Sequence, residues 1–144
     1  MADLTTQLIE QVQSAASAGT KLRIEGGGTK SFMGRATTAE QETLSLKEHT
    51  GIVGYQPVEL VMTARAGTPL VELKAALDEQ NQMLAFEPPV FSASSTLGGT
   101  LATNQSGPGR PWWGSVRDHV LGVRLINGKA EHLRFGGQVM KNVA

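Results

Sequence analysis

Leu22-Arg23-Ile24-Glu25-Gly26-Gly27-Gly28-Thr29-Lys30-Ser31 passes from a short alternating strand straight into three consecutive glycines. Without Cβ atoms, successive backbone N–H groups can turn into one concavity, which is the donor arrangement a pyrophosphate requires. Two familiar phosphate loops fail to fit. A Walker A loop needs Gly directly before Lys-Ser/Thr, and Thr29 stands there; a Rossmann fingerprint needs a helix opening at its third Gly, and Gly34 with Thr37-Thr38 would break that helix. A glycine-rich β-turn with no ligand remains an equally simple reading of this stretch alone.

A second cradle lies downstream in Ser94-Ser95-Thr96-Leu97-Gly98-Gly99-Thr100-Leu101-Ala102-Thr103-Asn104. Thr96 caps a short helix over Leu97–Thr103, and hydroxyls and glycines at its start add donors and the positive end of the helix dipole. Residues 1–86 carry seven basic and ten acidic side chains, net −3, whereas residues 87–144 carry six and three, net +3. An anionic ligand is therefore expected against the second half. Two cradles flanking a boundary suit an extended diphosphate clamped between lobes.

Working outward, Leu4, Leu8, Ile9, Val12 and Ala16 share a face at helical spacing, with Asp3 to cap the start and Gly19 to end the helix near residue 18. Strands are expected at 43–46, at 83–86, and at 52–55 and 60–64 as a hairpin through Gln56-Pro57. Thr68-Pro69 reads as N-cap and N1 of a helix with Leu70, Leu73 and Leu77 on one side. The first part is thus a small mixed sheet with two helices. Glu87-Pro88-Pro89 forces extended backbone and marks a lobe boundary, giving units 1–86 and 87–144. Beyond it, Ser115 and Asp118 form a capping box, and 120–126 and 129–135 form a hairpin through a type I′ turn at Asn127-Gly128.

The 144 residues, with 40% hydrophobic content, mean hydropathy −0.16 and formal net charge zero, describe a globular chain. This length permits burial of roughly 68% of the unfolded surface. The balance of charge gives no argument for nucleic acid, and no apolar run approaches the about 18 residues of a membrane span. The absence of Cys removes thiolate chemistry, disulfides and Cys-ligated metals, and suits a reduced, cytoplasmic setting. His49, His119 and His132 lack metal-ligand spacing, so no metal site is expected. Trp112-Trp113, among glycines and without clustered basic residues, are expected to pack under a loop; Arg117 and Asp118 read as a local ion pair and cap. No catalyst stands out.

Taken together, Gly26-Gly27-Gly28-Thr29-Lys30, Thr96-Leu97-Gly98-Gly99-Thr100-Leu101-Ala102, Gly114-Ser115-Val116-Arg117-Asp118 and Phe135-Gly136-Gly137-Gln138-Val139-Met140-Lys141-Asn142-Val143-Ala144 resemble, in order, the signatures of the FAD-binding domain of the vanillyl-alcohol oxidase and p-cresol methylhydroxylase type. Residues 114–123 and 133–144 are similar, more narrowly, to flavin-binding subunits of the bacterial glycolate oxidase type. The resemblance implies an α+β, two-lobed domain with FAD extended between the lobes. By the same resemblance, Gly26, Gly27, Gly28, Thr29 and Lys30 surround the pyrophosphate. Ser95, Thr96, Gly98, Gly99, Ala102 and Thr103 face the diphosphate and ribityl chain from the other side. Pro88 and Pro89 lead to the flavin ring, and Gly114, Arg117, Asp118 and Val120 pass the adenine side. With neither Cys nor a His in either cradle, FAD is expected to be non-covalent.

The resemblance further implies a 2-hydroxy-acid (glycolate or D-lactate) dehydrogenase, with a second flavin subunit and an iron–sulfur subunit as partners that hold it at the inner face of the membrane. It also implies a continuation after Asn142-Val143-Ala144, so the chain reads as truncated. The second lobe is incomplete, the substrate domain is absent, and the isolated chain is expected to be inactive. A non-catalytic nucleotide-binding or assembly module is the competing reading.

Overall fold

The helix α1, Thr5–Ala18, follows from the periodicity: Leu8, Val12 and Ala15 are its buried residues, with Ala15 rather than Ala16 turned inward. Asp3 organises its start, its Oδ1 accepting from the Thr5 N–H at 3.0 Å and the Thr5 hydroxyl at 2.7 Å. Gly19 ends it in the left-handed region (φ 68°), where a side chain would be strained. The computed structural model describes residues 2–36 and 41–138. Thr37 and Thr38, and residues 139–144 of the last motif, lie outside the described residues.

The strands β1 (Lys21–Glu25) and β2 (Gln41–Ser45) pair in parallel. Leu44 joins Leu8 and Val12 in a core bordered by Leu4, Leu22 and Leu46, and by Ile126 and Ala130 from the far end of the chain. β3 (Ile52–Gln56) and β4 (Val61–Ala64) form an antiparallel hairpin, and a 3₁₀ turn, Pro57–Glu59, makes the connection expected at Gln56-Pro57. Among the described residues, the strands form three separate two-stranded ladders rather than one mixed sheet.

Helix α2, Leu70–Asp78, buries Leu70, Leu73 and Leu77 as expected, but Thr68 does not cap it. Thr68 is fully buried and its Oγ1 accepts instead from the Gly51 N–H at 2.9 Å. That buried donor has a stronger claim on the hydroxyl than a helix end already served by Ser95, whose carbonyl accepts from the Leu70 N–H at 2.8 Å. Residues 83–86 are not a strand. They turn, the Glu87 N–H bonding back to the Leu84 carbonyl, and no other strand offers them a ladder. Glu87 likewise is not extended; its φ is +48°.

Helix α3, Leu97–Thr103, is capped by Thr96, whose hydroxyl accepts from the Gly99 N–H at 3.2 Å. A short α4, Arg110–Trp113, begins with Arg110-Pro111 and leaves Trp112 and Trp113 78% and 55% exposed, so they do not pack under a loop. The capping box at Ser115 and Asp118 opens a 3₁₀ turn, Val116–His119. β5 (Gly122–Ile126) and β6 (His132–Gly136) close the described chain. Their connection is not type I′. Gly128, Lys129 and Ala130 form a three-residue loop, the Ala130 N–H reaching the Asn127 carbonyl and Ala130 taking φ +61°, because the Asn127 side chain accepts from the Lys129 and Glu131 N–H groups.

One titratable contact holds α1 to the β2–β3 loop. His49 Nδ1 accepts from the Leu4 N–H at 3.1 Å, so the ring is neutral with its proton on Nε2. Burial pushes its pKa below the usual 6.5; Asp3 opposes this, and Arg65, held to Asp3 at 3.0 Å, adds to it. Because the folded pKa is depressed, the unfolded chain binds more protons near pH 6. The contribution of His49 is therefore complete above about pH 6.5 and is lost as pH falls through the folded value. The unfolding temperature is expected to drop between pH 7.5 and pH 5.5, and that drop to shrink in His49→Gln. An equal pH dependence in the variant would assign the drop elsewhere. The Asp3 carboxylate, held far below its usual range by the Thr5 hydroxyl and N–H and by Arg65, acts only at lower pH.

Candidate cofactor-binding site

The 26–30 loop and the 92–96 loop meet across the molecule. A Cβ on Gly27 would overlap the Ser94 carbonyl, and one on Gly26 would stand 2.6 Å from Thr96 Oγ1. The left-handed residue of the loop is Gly28, at φ 69°. Ser95, 1% exposed, ties the two loops: its Oγ lies 3.2 Å from Thr29 Oγ1 and accepts from the N–H groups of Phe91 and Ser92. Ser94 donates to the Gly27 carbonyl at 3.3 Å.

The distribution of free donors differs sharply between the two cradles. Among the described residues, the N–H groups of Gly26, Gly27, Gly28, Thr29 and Lys30 find no acceptor. At α3 the opposite holds. The Leu97 N–H bonds the Thr68 carbonyl, the Gly98 N–H the Ala66 carbonyl and the Gly99 N–H the Thr96 hydroxyl. Gly98 is a glycine because Ala66 packs on it, and the Thr103 hydroxyl is turned back to the Gly99 carbonyl. The donors expected from the start of α3 are thus used by the fold, and the first loop carries those that remain.

Lys30 Nζ lies 5.7 Å from the Phe91 ring centroid and faces Gly99. Partial burial lowers its pKa. Phe91 in turn stacks edge-on against Phe32, at 5.6 Å between centroids. Sequence reasoning missed this aromatic pair. Phe32 and Phe91 stand 59 positions apart in unrelated loops, and no local pattern announces their meeting.

Pro88 and Pro89 are half-buried, and Pro88 lines a groove over α2 with Leu70, Leu77 and Leu84, away from the 26–30 loop. Ala102 is exposed on α3. Gly114, at φ 83°, ends α4, and Arg117 and Val120 are exposed. The Asp118 carboxylate is spent on the cap: Oδ2 accepts from the Ser115 N–H and hydroxyl, both at 2.7 Å, and these bonds hold its pKa below the usual range. No hydrogen bond among the described residues links 114–120 to the 26–30 loop; the segment is anchored to the end of α3 by the Val116 N–H on Ser106 Oγ at 2.9 Å. The structure therefore gathers Gly26–28, Thr29, Lys30, Ser95, Thr96 and Gly99, and leaves Ala102 and 114–120 outside that cluster.

The sequence pattern of the FAD binding domain family matches residues 2–136. The chain belongs to that family. FAD is the cofactor of this domain, and five N–H groups without an acceptor among the described residues, beside a lysine, fit the cofactor's diphosphate. The chain is 54% identical over 142 residues to glycolate oxidase subunit GlcE of Escherichia coli (strain K12), a match covering 99% of this chain and 40% of that protein. It is 30% identical over 140 residues to a D-2-hydroxyglutarate dehydrogenase of Xanthomonas citri pv. viticola, covering 93% of this chain and 29% of that one. It thus spans less than half the length of either relative. The solved alkyldihydroxyacetonephosphate synthase superposes with a TM-score of 0.72 at 23% identity, over 90% of this chain and 25% of its own. That likeness shows the fold: the mixed α+β FAD-binding type.

Proposed function

We propose that this chain is the non-covalent FAD-binding part of a glycolate oxidase-type 2-hydroxy-acid dehydrogenase, working with a second flavin subunit and an iron–sulfur subunit. Residues 1–86 serve as its first lobe and 87–144 as the start of the second. The observation that carries the reading is the run of five N–H groups at 26–30 that find no acceptor among the described residues, in a chain 54% identical to GlcE. Bound FAD would supply the acceptance of a hydride equivalent from the hydroxy-acid carbon and its passage onward as electrons.

The residues of this chain bind and orient. The 26–30 N–H groups hold the diphosphate, Gly26 and Gly27 let the two loops close, and Lys30 offsets the phosphate charge. Ser95 fixes Thr29, and the Phe91 ring, stacked on Phe32, lies beside the Lys30 ammonium.

The alternative, a nucleotide-binding module without catalysis of its own, is favoured by the placement of the histidines. His49 is engaged by Leu4, His119 lies against Phe86 and the Trp113 carbonyl, and His132 sits on β6. None of them borders the 26–30 loop. The purified protein is expected to be yellow, and acid precipitation to release all flavin into the supernatant. Flavin retained on the washed pellet would overturn the non-covalent reading; a colourless protein that does not take up added FAD would overturn the whole. Flavin that is bound, yet is not bleached by glycolate or D-lactate in the presence of the partner subunits, would favour the binding module.

A further inference from the structure

Glu87 is the one residue at the bend before Pro88-Pro89 that adopts the left-handed region, φ +48°, a conformation costly for a side-chain-bearing residue and unusual before proline. Three bonds hold it there. Its N–H closes a turn on the Leu84 carbonyl at 3.0 Å, its Oε2 accepts from the Gly109 N–H at 2.6 Å, and the neighbouring Phe86 carbonyl accepts from the Gly107 N–H at 2.9 Å. The approach is so close that a Cβ on Gly107 would stand 2.5 Å from the Glu87 Cβ, and one on Gly109 2.5 Å from Oε2. The carboxylate therefore fastens residues 86–87 to the start of α4.

Its other consequence lies across Pro88 and Pro89. The segment 88–91 is gripped at its far end by Ser95, which accepts from the Phe91 N–H and touches Thr29 of the diphosphate loop. The Phe91 ring at that end carries Lys30. With Glu87 fixed at one end, Ser95 at the other and two prolines between, the segment 88–91 has little freedom, and Phe91 at its end forms the wall beside Lys30. We infer that Glu87 is a positioning residue for the cofactor site: its strained backbone and its bond to Gly109 set the wall that presents Phe91 to Lys30. This inference rests on the FAD reading given above.

The strain makes the test discriminating. Glu87→Gly removes the backbone cost together with the carboxylate and its bond to Gly109, so a purely structural residue would show any change in the unfolding temperature alone and leave flavin binding unchanged. In the full chain carrying FAD, Glu87→Gly is expected to keep its far-UV circular dichroism, to raise the Kd for FAD about tenfold, and to change the visible circular dichroism of the bound flavin. Glu87→Gln, which keeps the length and an acceptor for Gly109, is expected to restore most of both. Wild-type Kd and flavin dichroism in Glu87→Gly would overturn the inference while leaving the FAD reading intact, and so would a Gln variant as impaired as Gly. A Gly variant that loses its fold would also count against it, since the clamp would then be structural. Failure of the wild-type chain to bind FAD would overturn the FAD reading, and this inference with it.

Discussion

Gly27→Val is expected to weaken FAD binding by about a hundredfold, equivalent to roughly 2.7 kcal/mol. A Cβ at this position has nowhere to go: it overlaps the Ser94 carbonyl, and that carbonyl is backbone, which cannot rotate aside as a side chain would. The 26–30 loop must then withdraw from the 92–96 loop, which breaks the Ser94 bond to the Gly27 carbonyl and turns the free N–H groups away from one another. Because the clash lies between two loops and not in the Leu8–Val12–Leu44 core, the far-UV circular dichroism is expected to survive. Lys30→Ala should cost less, since one partly exposed charge is screened by salt while five backbone donors are not. A titration of FAD against both variants checks the order, and equal losses would mean that charge, not loop closure, holds the diphosphate.

Ser95→Ala is expected to lower stability by roughly 1–3 kcal/mol and to weaken FAD binding as well. The hydroxyl is buried and serves the Phe91 and Ser92 N–H groups and Thr29 at once. Removing it leaves two part-buried backbone donors without their acceptor, and frees Thr29 from its only fixed partner among the described residues. Urea unfolding and FAD titration on the same preparation measure the two effects. Loss of stability with unchanged affinity would make Ser95 a fold residue and remove it from the site. Ser95→Thr is no rescue, because the added methyl has no space at a residue 1% exposed.

The elements whose causes are local were legible residue by residue. The face of α1, the stop at Gly19, the cap by Thr96 and the Ser115–Asp118 box each depend on partners within a few positions, where chain connectivity itself sets the geometry. The glycine loop was legible as a donor cradle for the same reason: three adjacent glycines need no distant partner to expose their N–H groups. By itself, then, the sequence determined the helices α1, α2 and α3, the loop chemistry and, through its ordered motifs, the FAD-binding family, but not α4.

Which donors stay free could be decided only by the tertiary structure. The Thr68 hydroxyl serves Gly51, 17 positions away, and not its own helix; the Gly98 N–H is taken by Ala66; the Glu87 carboxylate crosses 22 positions to Gly109 and thereby overrides the extended preference that Pro88 imposes. Each outcome is a competition between a local partner and a remote one brought close by packing. At Gly51 the reason is burial: a buried donor left unpaired costs more than a helix end left to another partner, so the remote partner wins.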